Sequence, residues 1–421
     1  MIGFEQALET LLSHARRMDA ERLAAGLATG RVLARDVASP MALPSFDHAA
    51  MDGYALATQG HRLDAGSEHD VLGSQAAGDD PRSSAGMAWE IMTGARLPDG
   101  LDAVIPVERI QLLASRSDGS PARIRLLEAL ERGANVRYAG SDVARDSVAL
   151  RAGTVIAPPQ IMLLASIGVT AVEVSRRPRV AIICTGKELQ ADLGHPLSDS
   201  EIYNSNGPYL SASLVAMGMQ VVSCETVDDT ALTYADALAR AREAGADLVL
   251  STGAVSMGRY DFVPDTLRSQ QAELLFHKVA MRPGKPVLAA RFDDGVIVLA
   301  LPGTPMAVAV GFRFFVAPLL RAMQGQPAEP AWHAVLADDQ QPKPGLRHFL
   351  RASLAQDGEG RWIAHVMAQP QPFRIRPFAE ADGWVVLPDD AGPLLAGTRV
   401  VVAGLQPGVL PPFADLRPQG A

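Results

Sequence analysis

Three basic side chains are concentrated in one short segment of this chain, at Lys278, Arg282 and Lys285. Pro283 and Gly284 separate the last two, so a rigid turn would hold their charges near each other. At ~4 Å and an effective dielectric near 20, each contact between such a charge and an anion is worth roughly 4 kcal/mol before desolvation. The segment indicates an anion-binding site, although a solvated basic turn would give the same pattern.

Loops that bear glycine follow three apolar runs, which occupy residues 179–184, 247–250 and 296–300. Backbone amides in such loops can cradle an anion. The second loop, 251–258, matches neither a Walker A loop nor a dinucleotide fingerprint, and a plain turn remains its alternative. The candidate substrate-binding positions in the second and third loops are Ser251, Gly253, Ser256, Gly258 and Pro302.

Helical stretches separate these apolar runs, and the alternation of strands and helices predicts a largely parallel sheet. Ligands bind to such sheets outside the carboxyl ends of the strands. All three loops would lie at that edge, close to the basic segment. The region 179–305 is therefore predicted to be an α/β unit that carries an anion-binding catalytic site.

Several carboxylates and one hydroxyl also fall in predicted loops. A single loop aspartate is usually a turn former or a cap, but several converging carboxylates would suit a hard cation such as Mg²⁺. Thr93-Gly94 places a hydroxyl beside a flexible backbone, and a plain turn explains it equally well. The loop carboxylates are Asp52, Asp142, Glu188, Asp228, Asp229 and Asp261.

Composition limits the class of protein. The chain has 421 residues, 48% of them hydrophobic and 20% charged, so we expect a globular protein of two to four domains. Its formal net charge of −9 argues against general binding to nucleic acid or to anionic membranes. No uncharged run approaches the ~20 apolar residues that span a bilayer, and Arg313 interrupts the most apolar helix, 305–320. We therefore expect a cytoplasmic protein.

The two cysteines, Cys184 and Cys224, both fall in predicted strands. We expect a pair of buried, reduced thiols. None of the nine histidines stands at metal-ligand spacing from them, so the sequence does not predict a zinc site. His277, beside the basic cluster, is predicted to pack or lie at the surface.

The rest of the chain predicts further elements around the α/β unit. Residues 4–25 have apolar side chains at helical spacing, and 46–140 predict a small, mostly β domain. A helix over 158–167 and a strand over 169–174 follow. From 330 to 421 short strands between prolines and glycines predict a β-barrel-like domain. The predicted strands of the two β regions are 71–72, 87–92, 103–107, 123–127, 349–354, 362–367, 383–387 and 398–402.

Taken together, these stretches resemble the MoeA family of molybdopterin molybdenumtransferases, which includes the E domain of gephyrin. The matches follow the order of the family's motifs from about residue 4 to residue 351, and those at 50–55 and 92–95 are highly specific. The stretches that carry the resemblance are 46–55, 91–95, 98–104, 135–140 with Asp142, 185–189, 202–207, 228–229, 255–261, 282–286 and 301–305.

The resemblance implies a multidomain α/β plus β architecture. Its parts would be a central MogA-like three-layer α/β domain with a parallel-rich sheet (4–25 and 177–326), a small β-rich insert domain (46–140), a linking and dimerisation region (27–44 and 145–176) and a C-terminal β-barrel-like domain (330–421). It also implies an elongated homodimer with the active site in a cleft between subunits.

The resemblance to this family also implies an activity. The protein would insert molybdate into adenylylated molybdopterin and release AMP, with Mg²⁺ assisting cleavage of the pyrophosphate link. Partners would be the pterin substrate, the molybdopterin adenylyltransferase and recipient molybdoenzymes. By the resemblance, Glu188 and Asp261 would hold the metal. The matching catalytic positions are Asp52, Thr93, Asp142, Glu188, Asp228 and Asp261, and the matching basic ones are Lys278, Lys285 and Arg351, with Arg282 beside them.

This chain departs from the family pattern at several positions. Arg282 stands where lysine is usual, and Ala254 where the central loop has a glycine. Ala307 stands where a serine is common, and the segment 369–376 is rearranged. We expect molybdate to bind weakly unless Arg374 or Arg376 compensates. Two smaller departures are Ser141 and Lys187.

Two alternatives follow from the same resemblance. A non-catalytic paralogue could keep the dimeric scaffold for protein partners or deliver the cofactor. The second alternative is the related adenylyltransferase that makes the activated pterin. That enzyme has a Gly-Thr-Gly type of loop where this chain has Val255-Ser-Met-Gly258, so the sequence argues against it. Turnover of adenylylated pterin separates the enzyme from the scaffold.

Overall fold

The computed structural model describes residues 1–255, 262–367 and 373–409. The chain divides into two compact units. The first contains Met1–Glu21, Gly30–Ala34 and Glu173–Ala421, and the second contains Arg22–Thr29 and Arg35–Val172. Each unit therefore draws on segments that are distant in sequence.

The helices are α1 (Phe4–Ser13), α2 (Pro158–Ser166), α3 (Asn206–Ala216), α4 (Ala231–Glu243), α5 (Val263–Ser269), α6 (Pro305–Gly311), α7 (Ala317–Gln324) and α8 (Arg376–Ala379). Short 3₁₀ turns occupy Ala25–Leu27 and Val107–Arg109, and a π-helical turn occupies Phe312–Val316. The strands of the first half are β1 (Ala20–Ala24), β2 (Val37–Ala38), β3 (His48–Ala49), β4 (Gly53–Leu56), β5 (Glu68–Gln75), β6 (Ala88–Ile91), β7 (Ala103–Pro106), β8 (Ile110–Ser115), β9 (Pro121–Leu126), β10 (Val136–Arg137), β11 (Val148–Leu150), β12 (Ala171–Ser175) and β13 (Arg179–Thr185). Those of the second half are β14 (Leu189–Gln190), β15 (Ile202–Tyr203), β16 (Gln220–Val227), β17 (Leu248–Thr252), β18 (Glu273–His277), β19 (Met281–Arg282), β20 (Leu288–Arg291), β21 (Ile297–Leu301), β22 (Trp332–Leu336), β23 (Arg347–Gln356), β24 (Trp362–Val366), β25 (Gly383–Leu387) and β26 (Arg399–Gly404).

The first unit is built on a six-stranded sheet in the order β16-β13-β17-β21-β20-β18. The first four strands are parallel, as the alternating pattern predicts, whereas β20 is antiparallel to β21 and β18 to β20. The sheet is therefore mixed rather than wholly parallel. Since β13, β17 and β21 are direct neighbours, the loops that follow them meet at one edge.

Helices cover both faces of this sheet, which explains why its strands are continuous apolar runs. On one face, Ile182 and Leu250 pack in a cluster with Leu210 of α3. On the other face, Ala181 packs in a cluster with Tyr234 of α4. The result is the predicted three-layer α/β domain.

The helix predicted over residues 4–25 is shorter than expected. It ends at Ser13, and a strand begins at Ala20. Between Leu12 and Leu23 the charged run around Arg16 leaves few large apolar side chains at helical spacing, so the amphipathic face does not continue. The helix prediction was therefore wrong beyond Ser13.

A long apolar helical segment runs from Pro305 to Gln324 and is long and apolar enough to cross a membrane by composition alone. Most of its apolar stretch, 78%, is buried inside the protein, so it forms part of the core of the first unit. Arg313 is the charge that interrupts this apolar run, and it lies in the π-helical turn Phe312–Val316. The buried guanidinium forms an ion pair with Glu329 at 2.8 Å and donates a hydrogen bond to the Gly404 carbonyl oxygen at 2.8 Å.

The C-terminal strands close into a barrel in the order β23-β24-β22-β26-β25, and β25 pairs back onto β23. This confirms the predicted β-barrel-like domain. The two-residue strand β19 pairs in parallel with β23, so that Met281 lies opposite Arg347 and Arg282 opposite His348. The basic turn of the α/β domain is thereby fixed to one wall of the barrel.

The second unit contains a six-stranded sheet in the order β7-β4-β6-β5-β9-β8. Four of its six strands correspond to predicted ones, and β4 and β8 were not predicted. Tyr54, Ile105 and Ile124 belong to its core. The predicted helix at Pro158 is also present, as α2.

The cysteine prediction is only half correct. Cys184 is buried in β13, but Cys224 of β16 is exposed, and both are free thiols. Strand β16 lies at the edge of the sheet, with β13 as its one neighbour in the strand order. An edge position leaves the side chains of β16 less covered than those of the central strands.

Candidate active site

A cavity of about 740 Å³ lies between the carboxyl edge of the α/β sheet and the barrel, within the first unit. Its walls come from the loops after β17 and β21, the basic turn at 282–286, strand β23 and the loop before it. Four of the predicted substrate-binding residues line it: Arg282, Lys285, Pro302 and Arg351.

Hydrogen bonds tie the three sheet-edge loops together. The Gly253 amide donates to the Leu301 carbonyl oxygen at 3.0 Å, and the Thr185 hydroxyl donates to the Thr252 carbonyl oxygen at 3.1 Å. From α3, the Asn206 side-chain amide donates to the Gly303 carbonyl oxygen at 2.8 Å. The loops therefore form one connected rim, as the parallel order of their strands requires.

Gly253 has to be glycine for two independent reasons. Its φ is +94°, a region that L-residues rarely adopt, and a β-carbon there would lie 2.6 Å from both the carbonyl and the hydroxyl oxygen of Thr185. The next residue, Ala254, also has a positive φ, of 49°. Alanine there is held in a left-handed conformation that glycine would adopt without strain.

The basic side chains differ in their surroundings. Arg282 and Lys285 are exposed at the cavity, whereas Arg351 is only 6% exposed. Burial lowers the pKa of Arg351, but a guanidinium stays charged in proteins. Its Nη1 donates to the Arg374 carbonyl oxygen at 2.7 Å, which fixes its orientation. A desolvated, fixed cation attracts an anion more strongly than a solvated one.

Lys278 is half-buried at the end of β18 and is not among the residues that line the cavity. Its φ of 70° is unusual for a residue with a side chain. The neighbouring His277 is half-buried, and its Nε2 lies 2.9 Å from the Val255 carbonyl oxygen.

The predicted departures near the oxyanion are visible in part. Ala307 lines the cavity and presents a methyl group where a serine would present a hydroxyl. Neither Arg374 nor Arg376 lines the cavity. The Arg376 side chain is 90% exposed and pairs with Glu380 at 3.1 Å. Compensation by one of these arginines stays a prediction, and residues 369–372 lie outside the described residues.

The prediction placed Ser251 in the anion-binding loop, and this was wrong. Strand β17 extends through Thr252, so the backbone of Ser251 is part of the sheet. Its side chain has no exposed surface, and its hydroxyl lies 3.3 Å from that of the buried Tyr234. Ser256, Gly258 and Asp261 lie outside the described residues.

Two predicted acidic residues lie in neighbouring loops of the first unit. Glu188 follows β13 and Asp228 follows β16, and neither is buried. The Gly186 amide donates to the Val227 carbonyl oxygen at 3.1 Å, which joins the two loops. Across the described residues, no three His, Cys, Asp or Glu side chains are grouped closely enough to hold a metal ion.

The remaining predicted residues belong to the second unit. The Thr93 amide donates to the Asp52 carboxylate at 2.6 Å, and this hydrogen bond lowers the pKa of Asp52. The turn that carries Thr93 thus holds Asp52 in its ionised form. Asp142 is exposed, and its amide donates to the Leu43 carbonyl oxygen at 3.0 Å.

The sequence reasoning missed the barrel side of the cavity. Lys343 and His348 line it, together with Gln340 and Gln341. One signal was available: Lys343-Pro-Gly precedes a strand and resembles the Arg282-Pro-Gly-Lys turn on the opposite side. Without the pairing of β19 with β23, nothing in the sequence connects those two turns.

The fold and the cavity define a multidomain α/β protein with a cationic cavity at the carboxyl edge of its sheet, the edge at which such sheets bind ligands. Comparison with known families matches three successive regions. Residues 2–168 match "MoeA N-terminal region (domain I and II)", 181–322 match "Probable molybdopterin binding domain" and 333–405 match "MoeA C-terminal region (domain IV)". This chain belongs to the MoeA family, the molybdopterin molybdenumtransferases of molybdenum cofactor biosynthesis.

Relatives support this over nearly the full length. The chain is 33% identical to the molybdopterin molybdenumtransferase of Synechococcus elongatus, over 96% of this chain and 100% of the relative. It is 34% identical to molybdopterin molybdenumtransferase 2 of Mycobacterium tuberculosis, over 89% and 92%. The crystal structure of the molybdopterin biosynthesis MoeA protein from Pyrococcus horikoshii superposes with a TM-score of 0.79 at 26% identity, over 96% and 99%. These names do not favour the non-catalytic alternative.

Proposed function

We propose that this protein inserts molybdate into adenylylated molybdopterin and releases AMP. One observation carries the proposal. The cavity is lined by four Lys and Arg side chains, Arg282, Lys285, Lys343 and Arg351, and by no Asp or Glu among the described residues. In a chain with a formal net charge of −9, such a concentration of positive charge suits a substrate that carries a diphosphate and an oxyanion.

The basic residues divide the work by their environment. Arg351 is buried and fixed by its bond to the Arg374 carbonyl oxygen, so it can orient one anionic group with little loss of side-chain entropy. Arg282 and Lys285 are exposed on the turn and can attract a charged substrate from solution. When the phosphoanhydride bond breaks and AMP leaves, these cations stabilise the charge that develops on the departing phosphate.

We also propose that Mg²⁺ takes part, held by Glu188 and Asp261. Glu188 lies at the rim, in the loop after β13, and carboxylate oxygens are the ligands that a hard cation prefers. When bound, the metal would neutralise charge on the scissile diphosphate. Asp228, on the neighbouring loop, adds negative charge on the same side.

A purified-protein assay tests this function directly. AMP released from adenylylated molybdopterin should rise when molybdate is added in the presence of Mg²⁺. Asp261→Ala should keep the fold and lose this release, whereas Asp265→Ala should keep both, because that carboxylate is 84% exposed and pairs with Arg268 of its own helix. If the wild-type protein releases no AMP, the proposed reaction is wrong. If Asp261→Ala shows near-normal turnover, Asp261 has no part in the mechanism.

The active enzyme is proposed to be a cytoplasmic homodimer in which each site uses both chains. Asp52 and Thr93 belong to the second unit, whereas the cationic cavity is lined wholly by the first. Mixed dimers of Asp52→Ala and Asp261→Ala should therefore recover some activity after subunit exchange. A monomer in light scattering at micromolar concentration contradicts this assembly. The adenylyltransferase and recipient molybdoenzymes are the proposed protein partners.

A further inference from the structure

The barrel side of the cavity holds an imidazole to which the proposed function assigns no role. His348 lies on β23, directly opposite Arg282 on the parallel strand β19. Residues paired in this way present their side chains to the same face of a sheet. His348 is only 6% exposed, and it lines the cavity together with Arg282 and Lys343.

One ring nitrogen of His348 is already committed to the protein. The Lys343 amide donates to Nε2 at 3.0 Å, and the Lys343 carbonyl oxygen lies 3.2 Å from the same nitrogen. A backbone N–H can only donate, so in the tautomer that makes the shorter contact Nε2 offers its lone pair. The neutral ring then carries its proton on Nδ1. Burial has the largest effect and lowers the pKa of His348. The backbone contact with Lys343 raises the pKa, the positive charges of Arg282 and Lys343 lower it, and the net direction is downward. At neutral pH the ring is therefore an uncharged Nδ1–H donor.

The other nitrogen, Nδ1, has no acceptor in the part of the chain that the structure describes. Among the described residues nothing accepts a hydrogen bond from Nδ1, and Nδ1 is not one of the fully enclosed nitrogens that lack a partner. Since the ring is more than nine-tenths buried and lines the cavity, its small accessible part opens there. Buried polar groups are normally satisfied by protein, water or ligand, so this nitrogen is open to an acceptor that enters the cavity.

We propose that His348, through Nδ1–H, forms an oxyanion subsite with Arg282 and Lys343 on the barrel wall of the cavity. A neutral donor flanked by two cations suits a tetrahedral oxyanion, which offers several acceptor oxygens. Identifying that oxyanion as molybdate or as the diphosphate of the pterin rests on the proposed function. Both share the same chemistry, and the experiment separates them.

Two substitutions distinguish a ligand contact from a structural role, because amide side chains mimic the two ring nitrogens separately. In His348→Gln the amide reaches the position of Nε2, so the bond to Lys343 can be kept while the Nδ1 donor is lost. In His348→Asn the amide occupies the position of Nδ1, so the donor is kept while the bond to Lys343 is lost. His365→Gln on β24 is the matched control, since this histidine is exposed on the same barrel.

Calorimetric titration with sodium molybdate and with inorganic pyrophosphate measures binding without any turnover. We expect His348→Gln to weaken binding of one probe by roughly ten- to a hundredfold, the loss expected for a hydrogen bond to a charged group. His348→Asn and His365→Gln should stay within about threefold of wild type. A loss confined to molybdate assigns the subsite to molybdate, and a loss confined to pyrophosphate assigns it to the diphosphate.

Three results overturn the proposal: wild-type protein that binds neither probe, His348→Gln that binds both normally, or a loss in His348→Asn alone, which would show that the ring only anchors the turn. A measurement on the wild type guards against misfolded variants. The ¹⁵N signal of His348 Nδ1 should shift on addition of the bound probe, and an unchanged signal also refutes the contact. If the protein binds a probe through His348 but releases no AMP from adenylylated molybdopterin, the proposed function is wrong and the oxyanion subsite stands.

Discussion

Gly253→Ala is the perturbation that most directly tests how the rim of the cavity is built. A β-carbon at this position would lie 2.6 Å from two oxygens of Thr185. Ordinary contact needs about 3.4 Å, so the loops after β13 and β17 would have to separate by roughly 0.8 Å. The φ of +94° adds a second cost, since left-handed conformations disfavour an L-residue by about 1–2 kcal/mol.

The steric and conformational costs can be separated with Gly360→Ala. Gly360 has a φ of +77°, and a β-carbon added there would meet no atom within 4 Å, so alanine incurs only the conformational cost. We expect Gly360→Ala to reduce the free energy of unfolding by about 1–2 kcal/mol. Gly253→Ala should reduce it by about 2–5 kcal/mol, because overpacking adds about 1–3 kcal/mol.

Both glycines belong to the first compact unit, and calorimetry measures the unfolding of each variant. Gly253→Ala should also lower molybdate-dependent AMP release, because the hydrogen bond from the Gly253 amide to the Leu301 carbonyl oxygen links two parts of the rim. Gly360→Ala should leave release unchanged. Equal losses of stability in the two variants would refute the steric argument, and unchanged AMP release in Gly253→Ala would show that the rim does not need this contact.

Three further perturbations test other parts of the molecule. Glu329→Ala leaves Arg313 buried without its ion-pair partner and should lower the free energy of unfolding, measured by calorimetry, by about 3–5 kcal/mol. Glu380→Ala, at an exposed pair, should lower it by under about 1 kcal/mol. Similar losses in the two variants would contradict the buried-pair argument. Ala307→Ser should lower the molybdate concentration for half-maximal AMP release by about tenfold without changing that for the pterin, and no change would place the oxyanion elsewhere. Because the Thr93 amide lowers the pKa of Asp52, the stabilisation from this hydrogen bond is complete above the ordinary pKa of 3.8 and is lost as pH falls through the lower folded pKa. The NMR signal of the Thr93 amide should therefore titrate with a midpoint below pH 3.8. A midpoint at or above pH 3.8 would show that the hydrogen bond is absent.

Local sequence determined the central α/β domain well. The apolar runs that became β13, β17 and β21 are continuous because helices cover both faces of the sheet, and a doubly covered strand has no solvent side to alternate with. The glycine-bearing loops at their ends were predicted to meet, and hydrogen bonds at Gly253 and Gly303 join them. The order of the strands is enough to bring these loops together. A sequence that determines this order therefore also determines which loops meet at the carboxyl edge of the sheet.

The sequence failed where a pattern had two physical solutions. Ser251 follows a strand-like run and was placed in the loop, but the ladder extends through Thr252, because hydrogen bonding to neighbours on both sides decides where a strand ends. The helix predicted over 4–25 ended at Ser13 because the charged residues around Arg16 interrupt its apolar face. Cys224 was expected to be buried like Cys184, yet its strand lies at the edge of the sheet.

Only the tertiary structure decided which charges share the cavity. Arg282 and Lys285 could be singled out from the sequence by their spacing around a Pro-Gly turn, and Arg351 by resemblance. Lys343 and His348 could not, because their proximity to Arg282 depends on a two-residue pairing between β19 and the barrel strand β23. So short a pairing leaves no periodic signature in sequence, and it exists because packing of the barrel against the α/β domain brings the two backbones into register.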